Sequence, residues 1–231
     1  MKNITVLIAM LAMLSGLAGC TKRNPAAPAD LFRGIPTATP VAASNLTLID
    51  DFETASSPFK NKLGGAWYSF NDSGNGGTSR IFPSPFALTI QNGLGANGSN
   101  GYLAVTGTVT TVYANGFIGF GTLLNQVGGT VDLNQFKGIR FSVKGDVKVY
   151  SIKIQSSNIT DYNYFKIDFP TTTEWTEKNL PFALFAQDPY FGTPNKSLTE
   201  SLTYATAIQW QTKGQPWSSV QVQIDNIFLY Q

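Results

Sequence analysis
From Leu46 onward the chain never keeps a helical hydrophobic period over a useful length. It runs instead in short stretches where apolar and polar residues alternate. Ile139, Phe141 and Val143 alternate with Arg140, Ser142 and Lys144. Asn163, Phe165, Ile167 and Phe169 alternate with Tyr162, Tyr164, Lys166 and Asp168. Val220, Val222 and Ile224 alternate with Gln221, Gln223 and Asp225. A period of two is that of a half-buried strand, whose successive side chains point to opposite faces. Between the runs stand turn formers: Gly74-Asn75, Asn92-Gly93, Asn97-Gly98, Asn100-Gly101 and Asn115-Gly116. Both residue types tolerate a positive φ. Strands are expected at 46–53, 66–70, 86–91, 101–108, 117–124, 138–144, 148–155, 162–169, 176–180, 205–212 and 220–230. About eleven short strands at this spacing predict an all-β fold, a jelly-roll β-sandwich. The phase of the alternation changes within 147–154, which predicts a β-bulge. A single helical turn fits 181–187.

The domain has no covalent staple. Cys20 is the only cysteine of the 231 residues, so residues 46–231 must stand on their own core or on a bound metal. Cys20 has a different assignment. Ile4 to Leu17 is apolar apart from Thr5, Ser15 and Gly16. This is too short for a membrane span, which needs roughly 20 residues, and suits a signal peptide. Leu17-Ala18-Gly19-Cys20 then resembles the lipobox of bacterial lipoproteins. The resemblance implies a signal peptide over 1–19, and a diacylglycerol thioether and an acyl chain on Cys20. Several acyl chains hold a protein firmly at a membrane where one does so only marginally. Residues 21–45 carry Pro25, Pro28, Pro36 and Pro40 among alanines and read as an extended linker. Lys22 and Arg23 lie where they can meet anionic headgroups. The same resemblance to lipoproteins, with Thr21 rather than aspartate after the cysteine, implies the outer membrane within the bacterial cell envelope.

Composition excludes some functions. Charged residues make up 13% of the chain and the formal net charge is +2, against a usual charged share of roughly 25%. No basic patch stands out, so nucleic acid is not an expected partner. Aromatics are also 13%. Neutral hydrogen-bonding side chains with many aromatics suit an uncharged polar ligand; the alternative is the ordinary make-up of an exported β-protein. The chain has no histidine, which removes Ser-His-Asp and Cys-His catalysis and the commonest zinc ligand. A glycosidase needs only two carboxylates, but no paired-carboxylate motif is present, and no enzyme is expected.

Taken in order, several segments resemble carbohydrate-binding β-sandwiches of the galactose-binding-like group. They are Ile49-Asp50-Asp51-Phe52-Glu53, Asn61-Lys62-Leu63-Gly64-Gly65-Ala66-Trp67-Tyr68, Asn71-Asp72, Gly76-Gly77-Thr78-Ser79, the run from Phe136 to Gly145, Trp175-Thr176, Leu180-Pro181-Phe182 and Ile224-Asp225-Asn226-Ile227. The domain is most similar to family 11 carbohydrate-binding modules and to complex I intermediate-associated protein 30. The resemblance covers about residues 46–231. It implies non-catalytic binding of a polysaccharide, with glucan the natural candidate, and a structural calcium shared by Glu53 and Asp225. The alternative for these acids is a place on the solvated strand ends. A rival function is an envelope protein that uses the sandwich to bind protein.

A sugar-binding face needs aromatic rings to stack on pyranoses and polar groups to meet hydroxyls. Tyr162, Tyr164, Arg140, Gln155, Gln209 and Gln211 are candidates on or near central strands. Trp217 follows Pro216 where a turn tip is expected. Tyr162 and Tyr164 have the alternative of capping the sandwich edge. Trp67, Trp175 and Trp210 sit beside apolar strand positions and read as core.

Overall fold
The alternation resolves into two antiparallel sheets in a computed structural model, which describes residues 45–54, 59–85, 87–214 and 216–231. The expected signal peptide, Cys20 and all of the linker but Asn45 lie outside the described residues. In chain order the strands are β1 (Leu46–Asp50), β2 (Trp67–Asn71), β3 (Arg80–Phe82), β4 (Ile90–Asn92), β5 (Gly101–Val109), β6 (Ile118–Leu123), β7 (Gly138–Gly145), β8 (Val149–Ser156), β9 (Phe165–Pro170), β10 (Thr176–Pro181), β11 (Ala205–Thr212) and β12 (Trp217–Tyr230). One sheet has the order β10-β7-β12-β5-β3, with β1 added on β12 and β4 on β5. The other has the order β2-β6-β11-β8-β9. The fold is therefore the expected all-β sandwich.

The differences from expectation are local. β3 was not foreseen, because three residues are too few to show a period. The strand expected over 86–91 is confined to β4; residue 86 lies outside the described residues. The strand expected from Tyr162 begins only at Phe165. The bulge expected in 147–154 is absent: Val147, with φ 61°, lies in the turn before β8, and the pairing of β8 with β9 is unbroken. A short helix α1 (Leu198–Thr203) was missed, although Ser197 and Glu200 form the start of a capping pattern. Ser197 Oγ accepts from Glu200 N at 3.1 Å. The turn expected within 181–187 is a short 3-10 helix at Phe182–Leu184.

The core lies between the sheets. From β7 the inward set is Ile139, Phe141 and Val143, all buried. Trp210 of β11 meets Phe141 edge-on at 5.7 Å and stacks on Phe120 of β6 at 5.6 Å. Trp67 of β2 continues the cluster, 6.0 Å from Trp210 and 5.3 Å from Phe52. Its indole N–H donates to Asp50 Oδ2 at 2.8 Å. Deleting a ring of this kind from a packed core costs about 3–5 kcal/mol. Trp175 is not in this core. It is half-buried, donates to Leu94 O at 3.2 Å and meets the edge of Tyr102.

Candidate functional site
With the apolar set of each strand turned inward, the five-stranded sheet presents its other set outward. The register aligns these residues in two rows across all five strands. One row reads Tyr68, Gly121, Gln209, Lys153, Lys166; the other reads Phe70, Gly119, Gln211, Ser151, Asp168. The two glycines decide the shape. A Cβ on Gly119 would meet the Phe70 ring, and one on Gly121 would lie 3.0 Å from the Tyr68 hydroxyl and 3.0 Å from Gln209 Cγ. Without side chains there, the rings of Tyr68 and Phe70 lean across β6 toward the middle of the sheet.

Polar groups take over where the rings end. Gln209 Nε2 donates to the Tyr68 hydroxyl at 3.0 Å and to Gln155 Oε1 at 2.9 Å, and the Tyr68 hydroxyl donates to Gln155 Oε1 at 3.3 Å. Burial pushes the Tyr68 hydroxyl up to about 12, so it stays a neutral donor and acceptor. Lys153 Nζ donates to Gln211 Oε1 at 2.7 Å. Burial first, and Lys166 opposite it, draw Lys153 down to about 8. Ser151 Oγ donates to Asp168 Oδ1 at 2.6 Å, Lys213 pairs with Asp168, and Lys166 pairs with Asp188 at 2.9 Å. The structure thus brings Gln155, Gln209 and Gln211 together. It adds Tyr68, Phe70 and Lys153, which sequence reasoning missed. Their signal was present in the alternation Trp67-Tyr68-Ser69-Phe70 and in Gly119-Phe120-Gly121, whose glycines fall on the outward phase.

The two expected tyrosines sit beside this face, not on a strand. Tyr164 is only 8% exposed, while Tyr162 is 72% exposed with φ 63°, and their rings meet edge-on at 6.3 Å. The segment is pinned. Asp161 accepts from Asn163 N at 3.1 Å and Thr193 N at 2.6 Å, and Asn163 Nδ2 donates to Asp188 O at 2.9 Å. The neighbouring loop carries Tyr190, 97% exposed.

Two expected ligand residues are elsewhere. Arg140 belongs to β7 in the other sheet. Its guanidinium lies over the Phe228 ring at 5.0 Å, with Nε 3.7 Å from Glu177. An outward phase on β7 faces away from the glutamine cluster, so the structure does not bring Arg140 together with it. Trp217 is no turn tip. It opens β12, is 8% exposed, packs edge-on against Tyr150 at 5.1 Å and lies under Lys148 Nζ at 4.7 Å.

Glu53 and Asp225 meet around one loop. Glu53 Oε1 accepts from Asn100 N at 2.9 Å and Gly101 N at 2.7 Å. Asp225 Oδ2 accepts from Ala96 N at 2.8 Å and Ser99 Oγ at 2.5 Å. Asp225 is fully buried, and its carboxyl is pushed up chiefly by that burial, with the nearby charge of Glu53 adding to it. Neither acid forms an ion pair among the described residues. Asp225 Oδ1 also accepts from Asn226 N at 2.7 Å, so a calcium ion would have to share carboxylate oxygens that already hold hydrogen bonds. Backbone or water oxygens would have to complete its shell, since no third Asp, Glu, Cys or His gathers there among the described residues.

Comparison with known proteins points the same way as the fold. The family described as complex I intermediate-associated protein 30 (CIA30) matches residues 51–197. Endoglucanase 3 of Fibrobacter succinogenes (strain ATCC 19169 / S85) is 30% identical over 188 residues, 79% of this chain but only 27% of that protein. Among solved structures, the family 11 carbohydrate-binding module of the cellulosomal cellulase Lic26A-Cel5E of Clostridium thermocellum superposes with a TM-score of 0.56 at 20% identity. The match covers 83% of this chain and 96% of that one. The Clostridium thermocellum module in complex with a β-1,3-1,4-mixed-linked tetrasaccharide gives 0.54 at 20% identity, over 82% and 97% of the two chains. At that identity the likeness shows the shared β-sandwich.

Proposed function
The chain belongs to the complex I intermediate-associated protein 30 family, and from there we propose that it binds polysaccharide, without cleaving it, on the outward face of its five-stranded sheet. One observation carries this reading: two aromatic rings laid over a glycine-bearing strand, continued in the same rows by amide and amine groups. A pyranose offers an apolar C–H face and a rim of hydroxyls, so it needs both kinds of surface side by side. Aromatic rings supply the first, and a tyrosine hydroxyl supplies part of the second. Crossing five strands takes four steps of about 4.8 Å, roughly 19 Å in all, enough for several sugar rings. The β-1,3-1,4-mixed-linked tetrasaccharide held by the Clostridium thermocellum module makes β-glucan the first neutral chain to test.

The groups on the face support binding without cleavage. A general acid needs a carboxyl with a raised pKa. Asp188 is instead held below the usual range by its hydrogen bond to Lys166, and Asp168 is paired with Lys213. The chain has no histidine to replace them. Cys20 is proposed as the lipid attachment point in the outer membrane, and Glu53 with Asp225 as the protein ligands of a structural calcium.

Affinity electrophoresis of the purified protein in gels containing mixed-linked β-glucan, and in gels of other polysaccharides, tests the reading. Retardation by at least one polysaccharide is expected. Migration unchanged in all of them, with an envelope protein co-purifying instead, would favour the protein-binding rival.

A further inference from the structure
Three lysines converge on the face, and two of them have carboxylate partners. Lys166 is held by Asp188 at 2.9 Å, and Lys213 by Asp168. Lys153, fourth of the five in its row, donates to the neutral Gln211 and forms no ion pair among the described residues. It also stands directly opposite Lys166 on the neighbouring strand. Like charges in that position destabilise a sheet.

The surroundings of Lys153 are otherwise neutral or already compensated. Ser151 and Gln155 flank it on β8, and Gln209 and Gln211 face it from β11. Lys166 and Asp168 face it from β9, and Asp188 and Lys213 stand beyond them as their partners. The tyrosines nearest the cluster, Tyr68 and Tyr164, are both kept neutral by burial. The two aspartates still attract Lys153, yet burial and Lys166 outweigh them, and the ammonium is drawn down to about 8. A charged group kept against its local electrostatics in a polar face is a mark of a functional position.

We propose that the sugar chain bound on this face carries an anionic group, a uronate carboxylate or a sulfate ester, seated on Lys153. The inference rests on the polysaccharide-binding reading above and narrows it, placing acidic chains ahead of neutral β-glucan. An anion over Lys153 supplies the missing charge partner and relieves the repulsion from Lys166. It also favours the protonated amine, so binding takes up protons where the free amine is partly neutral. The few charges on the rest of the chain pointed to an uncharged ligand; this face, taken by itself, does not.

Titration calorimetry at low salt with three oligosaccharides of equal length provides the test: a mixed-linked β-glucan, an oligogalacturonate and a sulfated galactan. At about pH 6.5 at least one acidic chain is expected to bind about tenfold tighter than the glucan. The carboxylate and sulfate arms show which group is taken. The advantage should fade as the pH rises through about 8 and be gone near pH 10, as Lys153 loses its proton. Lys153→Met, with its fold checked by thermal melting, should bring the acidic chains down to the level of the neutral one. An acidic advantage that survives in Lys153→Met, or a wild-type protein that binds the glucan as tightly as the acidic chains, overturns this inference and leaves the polysaccharide reading standing. A protein that binds none of the three overturns both.

Discussion

Gly121 stands directly opposite Tyr68, and the bare α-carbon is what lets the tyrosine ring lean over β6 until its hydroxyl meets Gln209 at 3.0 Å. A side chain at Gly121 would contest that space from below. Gly121→Val is therefore expected to weaken polysaccharide binding. A Cβ there also comes 2.6 Å from Ile208 O, so overpacking should cost about 1–3 kcal/mol of stability. Urea unfolding and affinity electrophoresis of the same variant check both effects. Stability and binding both equal to wild type would mean the ring does not need the gap.

Lys153 should cost the protein stability at neutral pH. Its amine falls from the ordinary 10.5 to about 8 on folding, which at about 1.4 kcal/mol for each tenfold amounts to at most ~3.5 kcal/mol. The folded state binds its proton less well than the unfolded chain. The penalty is therefore complete below pH 8 and is lifted as the pH rises from about 8 towards 10.5. Lys153→Met should raise the melting temperature at pH 7 and lose that advantage near pH 10. A variant less stable than wild type at pH 7 would show that the amine is a net support.

Calcium should matter most when Asp225 is ionised. Its carboxyl is pushed above the usual range by burial, with Glu53 adding to the effect. Raising the pH through that elevated value therefore removes stability unless a cation compensates the charge. A chelator is expected to lower the melting temperature at pH 7 and to have little effect once Asp225 is protonated. At a free calcium concentration a hundredfold above its dissociation constant the ion would add about 2.7 kcal/mol. An identical melting curve with and without chelator at pH 7, with no calcium found by elemental analysis, would leave these acids as hydrogen-bond acceptors for the loop at Ala96–Gly101.

The anchor is tested at Cys20. Cys20→Ser is expected to abolish incorporation of a labelled fatty acid in the bacterial envelope. Since the chain has no other cysteine, label that persists in the variant would rule out a thioether there.

Much of the sandwich was legible in the sequence because a half-buried strand writes its own period. β7, β11 and β12 show it over several residues, and each was placed within a few residues of its bounds. The site was less legible, because period alone does not say which sheet a polar face belongs to. Arg140 and Gln209 are both outward residues of central strands, yet they lie on opposite sheets. Only the pairing of distant strands separates them. Trp217 was misplaced because Pro216 suggested a turn, whereas β12 starts at once and buries the indole against Tyr150. The meeting of Glu53 with the loop before β5 depends on contacts across 47 and 48 residues, which no local pattern reveals.

Polysaccharide binding on the Tyr68 face is tested by the affinity of Tyr68→Ala. Tyr68 as a residue is only half-buried, so the substitution should leave the fold intact, as circular dichroism and a cooperative melt would show. Titrated with the best-bound polysaccharide of the wild-type protein, Tyr68→Ala is predicted to lose at least about tenfold in affinity, ~1.4 kcal/mol. A folded Tyr68→Ala that binds as tightly as wild type would contradict the account and place the ligand on another surface.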